Sequence, residues 1–186
     1  MYDPHADAGS CQKASEDGGE TMKAIVYESN TGFTQKYAVM LSEKTGLPAF
    51  PLETAKNELQ KGEEIFFLGW ICAGKVSGYA KAAKLFSVQG AAAVGIMSPD
   101  ETTIPQLREN NKITDIQLFF LQGGVALEKL SMIKRKILNM VAKTVEKAGP
   151  KNEGEREMID ALRIGGDFVR AENLDEIVAF IQEKER

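Results

Sequence analysis

The chain has 186 residues, 43% of them hydrophobic and 27% charged, with a formal net charge of −4. This is the composition of one ordinary folded domain, at about 100–200 residues per domain, and it excludes a fibrous or wholly disordered chain. A single histidine, His5, and two cysteines, Cys11 and Cys72, with no CxxC pair argue against histidine-rich metal sites, Ser-His-Asp or Cys-His catalysis and a disulfide framework, and fit a reducing compartment.

Residues 1–21 mix Gly, Ser, Asp, Glu and Ala without apolar periodicity and read as a disordered acidic extension. Asp3, Asp7, Glu16, Asp17 and Glu20 stand there against Lys13 alone, so residues 23–186 balance 22 basic against 22 acidic side chains. Met22 directly precedes the first strand-like run, which makes the extension either dispensable or the product of an upstream start. The longest nearly unbroken apolar run, Ile65 to Gly74, is far short of the about 20 residues that span a bilayer, and the N-terminus lacks the basic and apolar regions of a signal peptide. A cytoplasmic protein is expected.

The domain, residues 22–186, alternates strands with helices. Ala24-Ile25-Val26-Tyr27 is a short apolar run suited to a strand buried on both faces. Phe33, Tyr37, Met40 and Leu41 fall on one helical face, and Gly46 follows where a left-handed C-terminal cap is favoured. Pro48 to Leu52 reads as an edge strand, because its prolines cannot donate ladder bonds. A short helix over 54–61 leads into Ile65 to Trp70, the strongest strand signal. Ser77 is placed to cap a helix running to Phe86, and Ala91 to Met97 and Ile116 to Leu121 supply the fourth and fifth strands. This pattern predicts an α/β fold: a five-stranded parallel doubly wound sheet between helical layers.

Beyond the fifth strand, Leu130, Ile133, Ile137, Met140, Val141 and Val145 form an apolar stripe on a helix within 129–147. Lys129, Lys134, Arg135, Lys136, Lys143 and Lys147 make it basic. Its first reading is a sheet-covering helix with a solvated charged side; its second is docking on anionic lipid or an acidic partner. A break at Gly149-Pro150, a polar connection, a short strand at 167–169 and a terminal helix over 173–184 complete the chain. The fold portion is neutral and has no aromatic-interleaved basic patch, so no nucleic-acid partner is expected.

The segment after the first strand carries the functional signal. Ser29-Asn30-Thr31-Gly32-Phe33-Thr34 places three hydroxyls and a glycine between a strand's carboxyl end and a helix N-terminus, a seat for an anion built from amides and hydroxyls. It contains no lysine or arginine, and the spacing of a nucleotide triphosphatase loop is absent. From Ile25-Val26-Tyr27 through Ser29, Gly32, Thr34 and Ala38, the segment matches at every defined position the signature of the flavodoxins, an apolar strand followed by [ST]-x-x-[AGC]-x-T-x-x-x-A. The chain from Met22 to Arg186 resembles a flavodoxin-like FMN-binding protein. In layout it is most similar to the branch of menaquinone-dependent protoporphyrinogen dehydrogenases and related flavodoxin-domain proteins, which share a glycine loop after the fifth strand and a long helix beginning near Lys129-Leu130-Ser131.

The resemblance implies strand order 2-1-3-4-5 and noncovalently bound FMN. The phosphate would sit on Ser29, Asn30, Thr31, Gly32, Phe33 and Thr34. The ring would lie between Trp70, Ile71, Cys72, Ala73 and Gly74 on one side and Gln122, Gly123 and Gly124 on the other. Trp70 reads equally as ring contact or packing residue, Gly123 and Gly124 equally as ring approach or tight turn, and Cys72 first as a small buried hydrophobe. Where short electron-carrying flavodoxins present an aromatic and acidic residues, Gly123 to Leu127 is neutral and aliphatic. No side chain stands out as an acid–base catalyst. The expectation is a redox protein passing electrons or hydride through FMN to a partner protein or small molecule. The alternatives are a peripheral-membrane oxidoreductase of the protoporphyrinogen dehydrogenase type, touching the membrane weakly through the 129–147 helix, and a flavin-free interaction module.

Overall fold

The computed structural model describes residues 21–150 and 152–186; the acidic extension, with His5 and Cys11, lies outside the described residues. The chain forms β1 (Ala24–Glu28), α1 (Phe33–Thr45), β2 (Ala49–Pro51), α2 (Leu52–Glu58), β3 (Glu64–Cys72), β4 (Lys75–Val76) and α3 (Tyr79–Leu85). It continues through β5 (Ser87–Gly95), α4 (Thr103–Asn111), β6 (Gln117–Gln122), β7 (Gly124–Val125), α5 (Met132–Ala148), α6 (Glu153–Ile164), β8 (Gly166–Asp167) and α7 (Asp175–Lys184).

The central sheet runs β2-β1-β3-β5-β6, all parallel, with β4 pairing antiparallel to β3. The sequence reading expected five strands in the order 2-1-3-4-5, whereas this sheet has six and its fourth strand in chain order is a short hairpin arm. The cause is local. Ala73 (φ 47°) and Gly74 (φ 74°) both take the left-handed conformation and fold the end of β3 back on itself, pairing Cys72 with Lys75. Two positive-φ residues suit a two-residue hairpin of this kind, but Ala-Gly lacks the Asn or Asp that would announce it.

Alternation along the strands sends side chains to two cores. Ile25, Tyr27, Phe66, Leu68, Ala92 and Val94 meet Tyr37 and Leu41 of α1 and Ile177 and Ile181 of α7. Val26, Ile65, Phe67, Ala91 and Ala93 meet Leu52, Ala55, Ala82 and Leu107 of α2, α3 and α4 on the other face. Burial on both faces is what allows the strands to be continuously apolar. The first face is thereby filled by α1 and α7.

This leaves no place on the sheet for α5, and here the expectation is corrected. Only Ala142 of α5 is buried; Ile133 is 73% exposed and Met140 65%. The helix packs against α6, with Leu138 and Val145 meeting Ile159 and Leu162 and with an ion pair between Arg163 and Glu146 at 2.5 Å. The residues read as a polar connection are therefore helical. Glu153, Glu155, Arg156, Glu157 and Asp160 conceal a narrow stripe of Ile159 and Leu162, and the Asn152 side chain caps the helix by accepting from the Glu155 amide at 2.9 Å.

Two smaller corrections share one cause. The helix expected to be capped by Ser77 starts one residue later, at Tyr79 behind Gly78 (φ 83°), and the 167–169 strand is only Gly166–Asp167, paired antiparallel with β7. At both places a glycine leaves room for neighbouring side chains, Leu52 and Phe67 at Gly78 and the Phe168 ring at Gly166, which a local pattern does not contain. Among the described residues no helix is long and apolar enough to cross a membrane.

Candidate functional site

Because the five strands of the β2-β1-β3-β5-β6 path are parallel, the ends of β1, β3, β5 and β6 open at one sheet edge; in register, Glu28 stands beside Gly69, Trp70 beside Val94 and Gly95 beside Gln122. The chain reverses its winding between β1 and β3, the point at which open α/β sheets leave a crevice beyond their carboxyl ends.

The 29–34 loop occupies that crevice. Gly32 (φ 100°), the cap residue of α1, takes the left-handed conformation and has no side chain to cap the helix. The Ser29 hydroxyl instead accepts from the Gly32 amide at 3.2 Å and the Gln35 amide at 3.4 Å, which holds the loop closed around the first turn. The amides of Phe33 and Thr34 precede the first bond of the helix, donated by the Lys36 amide to the Gly32 carbonyl, and so remain available at the positive end of its dipole. Thr34 is 1% exposed and borders the cavity described below, and its hydroxyl makes no hydrogen bond among the described residues. Among the described residues no side-chain polar atom is both fully enclosed and unpartnered, so that hydroxyl opens on the cavity.

A cavity of about 560 Å³ adjoins the loop, within the range of about 300–1,000 Å³ that small-molecule sites occupy. Ser29, Asn30, Thr31, Phe33 and Thr34 form its polar end, and Trp70, Ile71, Cys72 and Ala73 form one wall. Val94, Gly95, Ile96, Gly124 and Val125 form the floor. The lining is completed by Leu130 and by the helix that left the sheet, through Lys134, Ile137, Leu138 and Val141.

Of the sequence-expected site residues, the structure thus gathers the loop, residues 70–73 and Gly124 around one cavity. Gly32 shapes the loop without lining the cavity. Gly74 turns away to α4, where the Asn111 side-chain amide donates to its carbonyl at 3.1 Å. Gln122 is spent on structure: its carbonyl accepts from the Tyr37 hydroxyl at 2.7 Å and its amide donates to the Ile96 carbonyl at 3.3 Å. Gly123 makes room for Val94, whose Cγ1 would lie 2.7 Å from an added Cβ. Cys72, expected to be buried, is exposed on the cavity rim because it belongs to the hairpin and not to the strand interior.

Two supports lay outside sequence reasoning. Tyr37 ties α1 to the sheet edge, donating to Gln122 while accepting from the Asn173 side chain at 2.7 Å, and burial pushes its phenol up. Lys36 pairs with Asp167 at 2.5 Å, joining α1 to β8. Burial alone would raise the Asp167 carboxyl, but the Lys36 ammonium and the Val169 amide outweigh it and hold the group below its ordinary value. The α5 wall was missed because an apolar stripe at helical spacing reads the same whether it faces a core or a cavity.

The donors at one end and the apolar slot beside them fit a flat ring carrying an anionic tail. Trp70 borders the apolar part of the cavity, and Thr31, Phe33 and Thr34 bring amides and hydroxyls to its polar end. Among the described residues no three His, Cys, Asp or Glu side chains cluster closely enough to hold a metal ion. Known protein-family models and curated proteins give no match to this chain.

Proposed function

We propose that the chain is a flavodoxin-like redox protein that binds FMN noncovalently and carries electrons or hydride through it. The observation that carries this reading is the junction of the uncapped, hydroxyl-lined turn at 29–34 with an apolar cavity at the switch point of a parallel sheet. The layout of that sheet is consistent with a flavodoxin-like fold. FMN bound there would supply one-electron and hydride chemistry, leaving the protein to anchor the phosphate, orient the ring and exclude water.

The deciding experiment is a titration of the purified full chain with FMN, followed by absorbance and fluorescence. A shifted flavin spectrum with quenched emission supports the reading. Colourless protein that leaves FMN emission unchanged rejects it in favour of a flavin-free interaction module. Within this reading, Thr31→Ala with Thr34→Ala should weaken FMN binding by about 1–3 kcal/mol, the worth of hydrogen bonds to a charged group. Unchanged affinity would place the phosphate elsewhere.

A second reading, a peripheral-membrane oxidoreductase of the protoporphyrinogen dehydrogenase type, is favoured by the outward side of α5. There Met132, Ile133 and Met140 are exposed beside Arg135, Lys136 and Lys143, and each basic residue near an anionic surface contributes about 1 kcal/mol. Sedimentation with phosphatidylserine vesicles at low salt should be lost when Lys134, Arg135 and Lys136 are all changed to glutamate. No sedimentation of the wild-type chain removes this reading and leaves the first untouched.

A further inference from the structure

The phosphate seat on the 29–34 loop has a charge problem. A phosphomonoester carries about −1.5 to −2 at neutral pH, whereas the loop offers only dipoles and neutral hydroxyls. The nearest cation in sequence, Lys36, is already paired with Asp167.

The geometry points to Lys129 as the counter-cation of a phosphomonoester held on this loop. Lys129 ends the short 3₁₀ turn Leu127–Lys129 between β7 and α5. Its ammonium reaches back across 98 residues of sequence to donate to the Thr31 carbonyl at 3.4 Å, and it lies 3.4 Å from where a Cβ on Gly32 would stand. Lys129 makes no ion pair among the described residues. It lines a polar cleft of about 270 Å³ that shares Thr31, Phe33 and Val125 with the large cavity.

A bond of 3.4 Å to a neutral carbonyl is long for an ammonium donor. A phosphate oxygen on the neighbouring amides would be the stronger acceptor, since charge-assisted bonds are shorter and about twice as strong. The turn therefore holds a cation beside the loop without committing it to an acidic partner. Independently, Thr34, a residue only 1% exposed, has a hydroxyl that makes no hydrogen bond among the described residues and that borders the large cavity, where it can donate to a ligand's oxygen.

Lys129 lies three residues before Met132, the first residue of α5, whose inner side is the cavity wall. A tail gripped by both the loop and Lys129 fastens that wall across the ring, so phosphate recognition and closure over the apolar part become one event. The inference rests on the flavin reading for the identity of the ligand, and on the loop alone for the seat.

The test compares the full-length wild type with Lys129→Met, Lys129→Arg and Lys147→Met, the last removing the same charge from the far end of α5. FMN and riboflavin are titrated separately, and inorganic phosphate is followed through the amide resonances of Phe33 and Thr34. Lys129→Met should weaken FMN about 10- to 100-fold, as expected for loss of a hydrogen bond between charged groups, with riboflavin altered less than about 2-fold. Lys129→Arg should stay within about 3-fold of wild type, and Lys147→Met should match it.

Equal losses for FMN and riboflavin, or none for either, overturn the assignment. Phosphate shifts that weaken in Lys129→Met, in a wild type that binds no flavin, uphold the seat while rejecting FMN. A wild type that binds neither flavin nor phosphate overturns both.

Discussion

Gly124→Ala is expected to destabilise the fold by about 1–3 kcal/mol, the usual range for overpacking, and to remove most of the flavin affinity with it. A Cβ on Gly124 would stand 2.2 Å from the Gly166 carbonyl oxygen and 2.8–2.9 Å from the Phe33 ring. The ring is the far end of a side chain and can swing, but the carbonyl belongs to the β7–β8 bridge, where Gly124 pairs with Asp167. Relief requires that bridge to open, and the bridge carries Asp167, the partner of Lys36 on α1. The clash therefore propagates to the loop that seats the phosphate.

The control is Gly46→Ala, where an added Cβ meets nothing within 4 Å and only the left-handed φ of 77° is strained. That change should cost about 1 kcal/mol and leave flavin binding intact. Chemical denaturation separates the two sites. Phe33→Leu added to Gly124→Ala should recover little, because it relieves the ring contact and not the backbone one. A full recovery would mean that Phe33 alone determines the effect.

The same glycine shows how much of the site was legible. Strand-loop-helix order and hydroxyl spacing placed residues 29–34 at a sheet edge from pattern alone, since period-2 burial and helical periodicity are local properties of the chain. What Gly124 must accommodate is set by Gly166, forty-two positions later, and no local pattern contains that. Lys129 was likewise visible as one charge in a basic helix, while its reach to Thr31 depends on where the β7 turn delivers it. β1, β3 and β6 were legible because each is an apolar run bounded by breakers, whereas β5 begins at Ser87, four residues before its apolar stretch, where it pairs with Glu64 of β3. The β4 arm was not, since it rests on two positive-φ residues, one of them an alanine. The α6 helix was hidden because its buried stripe is narrow and its other faces are charged.

The largest separation between binding and folding is expected at Ile137 and Val141. These lie one helical turn apart on α5 and line the cavity, yet they are 52% and 41% exposed. They contribute little to the core, so Ile137→Asp with Val141→Asp should change stability by only about 1 kcal/mol, chiefly through the lower helix propensity of aspartate. Binding differs, because a flat apolar ring seated against this wall would strip water from both carboxylates, and an uncompensated charge taken out of water costs several kcal/mol. Aspartate is too short to carry its charge back to solvent as a lysine would. Riboflavin, which has no phosphate to be repelled, should lose at least about 100-fold in affinity, and FMN no less. Equilibrium titration beside urea denaturation reads both quantities on one preparation. If riboflavin retains its affinity, the ring does not lie against α5, and the apolar side of that helix serves only the outward surface formed by Ile133 and Met140.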